Sequence, residues 1–198
     1  NIKQKDKWKK KNELRHLEIL IDLSNETPKP DLVVWPETAV YWLPEENPEK
    51  LRSIAQQVRA PLLFGALRLD RDTKKLFNSV FLIDDKGEIQ SIYDKTFLVP
   101  FGEYVPFGNL MRHLNLFDNN YRWIDGFTSG SGLRLIKSLG FPTFLPLICY
   151  EALFSNEILG EVKEARWILN VTNDAWFGNR GGPQQHLNIA KMRALENN

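Results

Sequence analysis

Three residues with reactive side chains each follow an apolar run that is typical of a buried strand. Glu37 follows Leu-Val-Val-Trp-Pro, and Lys95 follows Ser-Ile-Tyr-Asp. Cys149, the single cysteine among the 198 residues, follows Phe-Leu-Pro-Leu-Ile. In sheets with helices on their faces, sites assemble at the carboxyl ends of strands. The sequence therefore allows one site that contains a carboxylate, an ammonium group and a thiol.

These three side chains are suited to attack on a carbonyl carbon. A thiolate is a strong nucleophile, but a free thiol with a pKa of about 8.5 needs a base, which Glu37 could supply. The Lys95 ammonium and the backbone N–H of Tyr150 could stabilise the negative charge that develops on the carbonyl oxygen. We interpret Glu37 as a candidate base, Lys95 as a candidate oxyanion donor and Cys149 as a candidate nucleophile.

Each of these residues also has an ordinary structural explanation. A lone cysteine at the end of an apolar strand is commonly a buried, unreactive thiol, and charged residues after strands commonly lie on the surface. A His186–Cys149 pair is a rival catalytic arrangement, since histidines also activate thiols. The spacing of the His, Cys and carboxylate residues resembles no metal-ligand set, and the glycine pairs lack a phosphate-loop pattern. We therefore expect neither a metal nor a cofactor.

The composition indicates a folded domain and argues against a nucleic-acid partner. Hydrophobic residues make up 42% and charged residues 26% of the chain, which are globular values. The 26 Lys and Arg nearly balance the 25 Asp and Glu, so the net charge of +1 provides no field suited to nucleic acid. We expect one domain over residues 1–198, which contains no apolar run long enough to cross a bilayer.

The elements that must position these side chains alternate between helices and strands. Apolar residues at helical spacing predict helices over 8–24, 48–58, 155–165 and 183–195. Shorter apolar runs predict strands at 32–35, 61–69, 76–83, 88–93, 133–136, 143–149 and 167–171. Loops are predicted at 94–132 and 172–182, and a connection as long as the first is commonly functional. This mixture places the chain in the α/β class.

Five sequence strings occur in an order that is typical of one enzyme family. They are WPET at 35–38, YDK with LVPFGEYVP at 93–95 and 98–106, ICYE at 148–151, NVTNDAWFG at 170–178 and KMRALEN at 191–197. Together they resemble the nitrilase-like domain of the apolipoprotein N-acyltransferases, over most of the chain. The resemblance implies a nitrilase-like αββα sandwich, truncated at its C-terminus, with a triad of Glu37, Lys95 and Cys149.

The resemblance also implies supporting residues around that triad. Glu103 matches a glutamate that the acyltransferases need for activity, and Tyr150 and Glu151 match the two residues after their nucleophile. Three tryptophan and phenylalanine residues match aromatic positions of the family, and we expect them to bind substrate or to form a lid. These aromatic residues are Trp8, Trp176 and Phe177.

The implied reaction moves an acyl chain from a phospholipid, through a thioester on Cys149, to the α-amino group of the S-diacylglyceryl-cysteine of an apolipoprotein. The implied setting is the periplasmic face of the bacterial inner membrane, where the domain is held by a longer membrane protein from which this chain is excised. Two alternatives stay open. One is a soluble nitrilase-like amidase that hydrolyses small amides, and the other is a catalytically silent interaction domain in which Cys149 only packs.

Overall fold

The computed structural model describes residues 12–26, 28–108, 126–137, 140–178 and 181–197. Within these ranges the α-helices are α1 (Glu13–Ser24), α2 (Pro48–Val58), α3 (Ser155–Glu161) and α4 (Gly182–Glu196). The strands are β1 (Val33–Val34), β2 (Leu62–Asp70), β3 (Lys75–Ile83), β4 (Ile89–Asp94), β5 (Phe144–Ile148) and β6 (Trp167–Val171). Short 3₁₀ helices lie at Pro44–Glu46, Cys149–Leu153, Val162–Glu164 and Asp174–Phe177. The predicted α/β class is confirmed.

The described strands form two sheets. The first has the order β1-β2-β3-β4, in which β1 is parallel to β2 and the other neighbours are antiparallel. The second is the parallel pair β5-β6. The hairpin between β3 and β4 turns at residues 84–87, as its sequence predicts, with Gly87 in the left-handed region at a φ of 81°. This topology brings the ends of β1, β4 and β5 to one region.

Three clusters of buried apolar side chains define four layers. In the first cluster, α1 and α2 pack on one face of the four-stranded sheet through residues such as Ile54 and Phe64. In the second, the opposite face of that sheet packs on the β5-β6 pair through residues such as Leu63 and Ile148. In the third, the outer face of β5-β6 contacts α3 and α4. The layers follow the helix-sheet-sheet-helix order of the αββα sandwich that the resemblance implies.

Burial on both faces explains why the first half of β2 is a continuous apolar run. In β2, Leu62 and Phe64 face the helices, whereas Leu63 between them faces the second sheet. Successive side chains of a strand point to opposite faces, so a strand between two apolar layers has no solvent side on which polar residues could alternate. The apolar run predicted as a strand at 61–69 is therefore confirmed as β2, within one residue at each end.

Some predicted boundaries are wrong. The strand predicted at 133–136 is a single antiparallel bridge between Ile136 and Phe144, because Leu133 and Leu135 are held by side-chain packing and not by a ladder. The strand predicted to end at 149 stops at Ile148, since Cys149 has a φ of 51° that no strand can accommodate. The helix predicted over 155–165 gives way to a 3₁₀ turn after residue 161.

Candidate active site

Glu37 lies just after β1, in a turn held tightly against β2. The Gly65 N–H donates to the Pro36 carbonyl at 3.1 Å, and the Ala39 N–H donates to the Gly65 carbonyl at 2.7 Å. A Cβ atom at residue 65 would lie 2.6 Å from the Glu37 Cα and in contact with the Thr38 nitrogen. Glycine at this position therefore lets the Glu37 turn approach the strand, and this approach buries the carboxylate, which is only 6% exposed.

Lys95 directly follows β4, and its backbone is fixed on both sides. Its N–H donates to the Asn78 carbonyl, and its carbonyl accepts from the Gly130 N–H, both at 2.8 Å. The side chain is 1% exposed, and its Nζ lies 3.6 Å from Glu37 Oε1 and 2.9 Å from the Glu103 carboxylate. Burial lowers the pKa of Lys95, but the charges of Glu37 and Glu103 outweigh burial and raise it above the ordinary value. Lys95 is therefore a buried ammonium held between two carboxylates.

Asn78 joins the two carboxylates, and sequence reasoning missed it. Its Nδ2 donates to Glu37 Oε1 at 2.8 Å and to Glu103 Oε1 at 3.0 Å. The second oxygen of Glu37 accepts from the Asn173 N–H at 3.0 Å, so both oxygens are oriented by fixed donors. The available signal was an amide side chain within the apolar strand β3, where a buried polar group requires a partner.

Cys149 is the first residue after β5 and opens a 3₁₀ helix. It has a φ of 51° and is 8% exposed. The pKa of its thiol is raised to about 11. Burial is the largest cause and the charge of Glu37 adds to it, whereas Lys95 and the Thr172 hydroxyl act in the opposite direction. The Cys149 thiol therefore lies within the electrostatic reach of both Glu37 and Lys95, and it is protonated at neutral pH.

Glu151, fully buried, ties the end of β4 to the end of β5. Its Oε1 accepts from the Tyr93 hydroxyl at 2.7 Å, the Thr96 N–H at 2.6 Å and the Phe97 N–H at 3.2 Å. Its Oε2 accepts from the Ile148 N–H at 2.7 Å. These bonds span the backbone that carries Lys95 and the backbone that carries Cys149, so Glu151 fixes the two segments relative to each other.

The aromatic candidates differ in placement. Trp176 and Phe177 lie on the 3₁₀ helix after β6 and are 64% and 49% exposed. The ring of Tyr150 packs edge-on against Phe154, with centroids 5.3 Å apart. Trp8 lies outside the described residues. The side chains of Trp176 and Phe177 are therefore exposed to solvent.

His186 does not act on the thiol in this structure. Its Nε2 lies 3.0 Å from the backbone carbonyl oxygen of Cys149, and its Nδ1 lies 2.7 Å from Asp174 Oδ1. Both ring nitrogens are therefore occupied by groups other than the Cys149 sulfur, which argues against the rival His186–Cys149 pair as a base and nucleophile.

Among the residues that the structure describes, no three His, Cys, Asp or Glu side chains are grouped as metal ligands would be. None of the helices in those ranges is long and apolar enough to cross a membrane.

A sequence profile of the family described as carbon-nitrogen hydrolase matches residues 1–198. The chain belongs to the carbon-nitrogen hydrolase family. Two solved structures show the same fold as this carbon-nitrogen hydrolase domain. One is a carbon-nitrogen hydrolase from Helicobacter pylori G27, with a TM-score of 0.63 and 16% identity, covering 92% of this chain and 63% of that one. The other is an amidase from Nesterenkonia sp., with a TM-score of 0.61 and 17% identity, covering 93% and 66%.

Curated members that are more similar in sequence carry one name. This carbon-nitrogen hydrolase chain is 41% identical over 207 residues to the apolipoprotein N-acyltransferase of Brucella suis, covering 99% of this chain and 39% of the relative. It is 42% identical over 174 residues to the apolipoprotein N-acyltransferase of Rhizobium rhizogenes, covering 85% and 32%. The chain thus spans well under half the length of these relatives.

Proposed function

We propose that this carbon-nitrogen hydrolase domain is the catalytic domain of an apolipoprotein N-acyltransferase. The observation that carries the proposal is the buried cluster in which Lys95 Nζ lies 3.6 Å from Glu37 and both charges act on the Cys149 thiol. Its support is the shared name of relatives about 41% identical to the chain. Those relatives are longer, and we propose that the remaining length anchors the domain on the periplasmic face of the bacterial inner membrane.

In the first half-reaction, Cys149 accepts an acyl chain from a phospholipid. Glu37 takes the thiol proton, and the sulfur attacks the ester carbonyl carbon. The C–S bond forms, the ester C–O bond breaks, and the leaving oxygen takes the proton from Glu37. The products are a thioester on Cys149 and a lysophospholipid.

Charge compensation explains how a thiol with a pKa of about 11 becomes a nucleophile. The negative charge of Glu37 raises that pKa, so protonation of Glu37 removes the group that disfavours the thiolate. The Lys95 ammonium lies 2.9 Å from the Glu103 carboxylate, and its positive charge then favours the thiolate. The net charge of the site does not change during this transfer, which keeps the cost of a buried thiolate low.

Lys95 and the N–H of Tyr150 hold the oxyanion that forms on the attacked carbonyl. Lys95 is fixed by three hydrogen-bonded contacts, to Asn78, Gly130 and Glu103, so it needs no reorganisation when charge develops. Preorganised donors of this kind typically account for about 10²-fold to 10³-fold of the rate each.

In the second half-reaction, the α-amino group of the diacylglyceryl-cysteine of a lipoprotein attacks the thioester. Glu37 takes the amine proton, the amide C–N bond forms, and the C–S bond breaks to return the sulfur, which regains the proton. Water would hydrolyse the thioester, so it must be kept away from the thioester. We assign this shielding and the contact with acyl chains to the exposed Trp176 and Phe177.

Hydrolysis of small amides is the second candidate function, because an amidase from Nesterenkonia sp. has the same fold. The two reactions use the same groups. They differ in the acyl donor, which is a phospholipid ester or a small amide, and in whether an amine or water attacks the thioester.

One experiment distinguishes the two candidates. Full-length protein is incubated with a phospholipid that carries a radiolabelled acyl chain and with a synthetic diacylglyceryl-cysteine peptide. We expect the label to reach the peptide amine, and Cys149→Ala to abolish the transfer. Release of ammonia from a small aliphatic amide, without any acyl transfer, would establish the amidase. Transfer that survives in Cys149→Ala would exclude both candidates.

A further inference from the structure

A series of hydrogen bonds starts at the Cys149 carbonyl, and the proposed mechanism gives no role to its other members, His186, Asp174 and Thr172. His186 Nε2 lies 3.0 Å from the Cys149 carbonyl oxygen, and His186 Nδ1 lies 2.7 Å from Asp174 Oδ1. Thr172 Oγ1 donates to Asp174 Oδ1 at 3.1 Å. The backbone of Cys149 is therefore linked through His186 to the segment that follows β6.

The positions of the protons in these hydrogen bonds follow from the chemistry of the acceptors. A carbonyl oxygen can only accept, so the hydrogen between His186 and Cys149 must be on Nε2. A carboxylate also only accepts, so a second hydrogen lies on the line between Nδ1 and Asp174. His186 is 6% exposed, and Asp174 holds its ring in the orientation that directs the Nε2 hydrogen at Cys149.

The carbonyl that His186 contacts belongs to the same peptide unit as the N–H of Tyr150. A peptide unit is planar, with its C=O and N–H on opposite edges, so fixing the direction of one fixes the direction of the other. This control matters here because Cys149 has a φ of 51°, a left-handed conformation that a non-glycine residue adopts only when its surroundings impose it.

We propose that His186, oriented by Asp174, is a positioning residue that holds the Cys149–Tyr150 peptide so that the Tyr150 N–H points at the developing oxyanion. The inference rests on the proposed function, since it assigns that N–H to the acyl-transfer transition state. His186 contacts neither substrate nor the reacting sulfur in this role. It acts only through the peptide plane.

Two substitutions of His186 test the contacts of its two ring nitrogens separately. His186→Gln places an amide nitrogen near the position of Nε2 and retains a donor for the Cys149 carbonyl. His186→Asn places its amide near the position of Nδ1, so it retains the contact with Asp174 and loses the hydrogen bond to the Cys149 carbonyl. For full-length protein, we expect kcat for acyl transfer to fall about 100-fold in His186→Asn and less than about 10-fold in His186→Gln. KM for the phospholipid should change less than about 2-fold in both.

Alkylation of Cys149 by iodoacetamide measures the reactivity of the thiol in a reaction that forms no oxyanion. Because the thiol and Glu37 are untouched, we expect both variants to alkylate within about 3-fold of the wild type.

Equal kcat in the wild type and His186→Asn would overturn the inference. A parallel loss of kcat and alkylation in both His186 variants would also overturn it, because it would indicate a merely structural role. Cys149→Ala tests the proposed function separately. If that variant still transfers acyl chains, the proposed function fails whatever the His186 variants do.

Discussion

Two buried carboxylate pockets lie on either side of the segment that carries Lys95, and they are built differently. The pocket of Glu37 and Glu103 contains an ammonium at 3.6 Å and 2.9 Å from the two carboxylates. The pocket of Glu151 is formed by three backbone N–H groups and the Tyr93 hydroxyl, all within 3.2 Å of its oxygens. One carboxylate pair is balanced by a neighbouring charge, and the other carboxylate by neutral dipoles.

The difference bears on which carboxylate can exchange a proton. The partners of Glu151 do not give up their protons, since backbone amides do not titrate and burial raises the pKa of Tyr93 further. Glu37 instead shares its site with a thiol whose pKa depends on the charge of Glu37. Glu37 is thus a candidate base and Glu151 a structural anchor, and the difference between them comes from the groups around each carboxylate.

The largest expected effect is that of Glu37→Gln on acyl transfer. The amide keeps the shape of the side chain but cannot take the thiol proton, so we expect a loss of about 10³-fold in kcat. The same change removes a charge that raises the pKa of Cys149, so that pKa should fall. Iodoacetamide labelling as a function of pH measures it. The exposed Glu88→Gln is the matched control and should leave both quantities unchanged. A rise in the Cys149 pKa would contradict the assignment.

Glu151→Gln should act on stability more than on any single catalytic step. One carboxylate oxygen becomes an NH₂ group that faces N–H or O–H donors, so at least one buried donor loses its acceptor. We expect the free energy of unfolding to fall by about 3 kcal/mol. Thermal denaturation of full-length protein, with Glu88→Gln as control, measures the change. If Glu37→Gln lowered the free energy of unfolding as much as Glu151→Gln, the proposed difference between the two pockets would be wrong.

The sequence predicted the parts of this site that depend on strand ends. Glu37, Lys95 and Cys149 each follow an apolar run, and the fold places the ends of those runs together. The topology of the sheets brings these strand ends together, and a local sequence pattern does not contain the topology. The proximity of the three residues was therefore inferred from the rule that sites assemble at the carboxyl ends of strands, and from the family resemblance. Their catalytic roles stay predictions.

The contacts that hold the site together could not be predicted in the same way. Asn78 lies 41 residues from Glu37 in the sequence, and its role follows from the pairing of β3 with β2, the strand that also contacts the Glu37 turn. The hydrogen bond of His186 to a backbone carbonyl depends on the left-handed conformation of Cys149, which nothing in ICYE specifies. Polar residues inside apolar strands were the usable signal, because burial without a partner is costly.

Gly65→Ala tests whether the Glu37 turn must lie directly on β2. The added Cβ would meet backbone atoms of residues 36–38, which cannot rotate away, so the turn must shift. A displacement of about 1 Å in a catalytic group can reduce the rate about 10²-fold, and we expect kcat to fall by that amount. Gly160→Ala in α3 is the matched control, because a Cβ there meets nothing within 4 Å. Full activity in Gly65→Ala would show that the base does not require this position.

The smallest expected effect is a pH dependence of stability that comes from the Cys149 thiol in the Glu37 pocket. The thiol of Cys149 has a pKa of about 11 in the folded protein against an ordinary value of 9.0. The folded state therefore binds the thiol proton more tightly than the unfolded state. The stability from this group is fully present below about pH 9 and is lost as the pH rises towards about 11, by at most about 3 kcal/mol.

Cys149→Ser isolates this contribution, because a serine hydroxyl does not titrate in that range. Lys95 titrates above its ordinary value in both proteins, so its own loss of stability at high pH cancels in the difference. We expect the melting temperatures of wild type and Cys149→Ser to diverge between pH 9 and pH 11, with the wild type falling faster. Parallel curves would mean that the thiol is not held in its protonated form by burial and by the charge of Glu37.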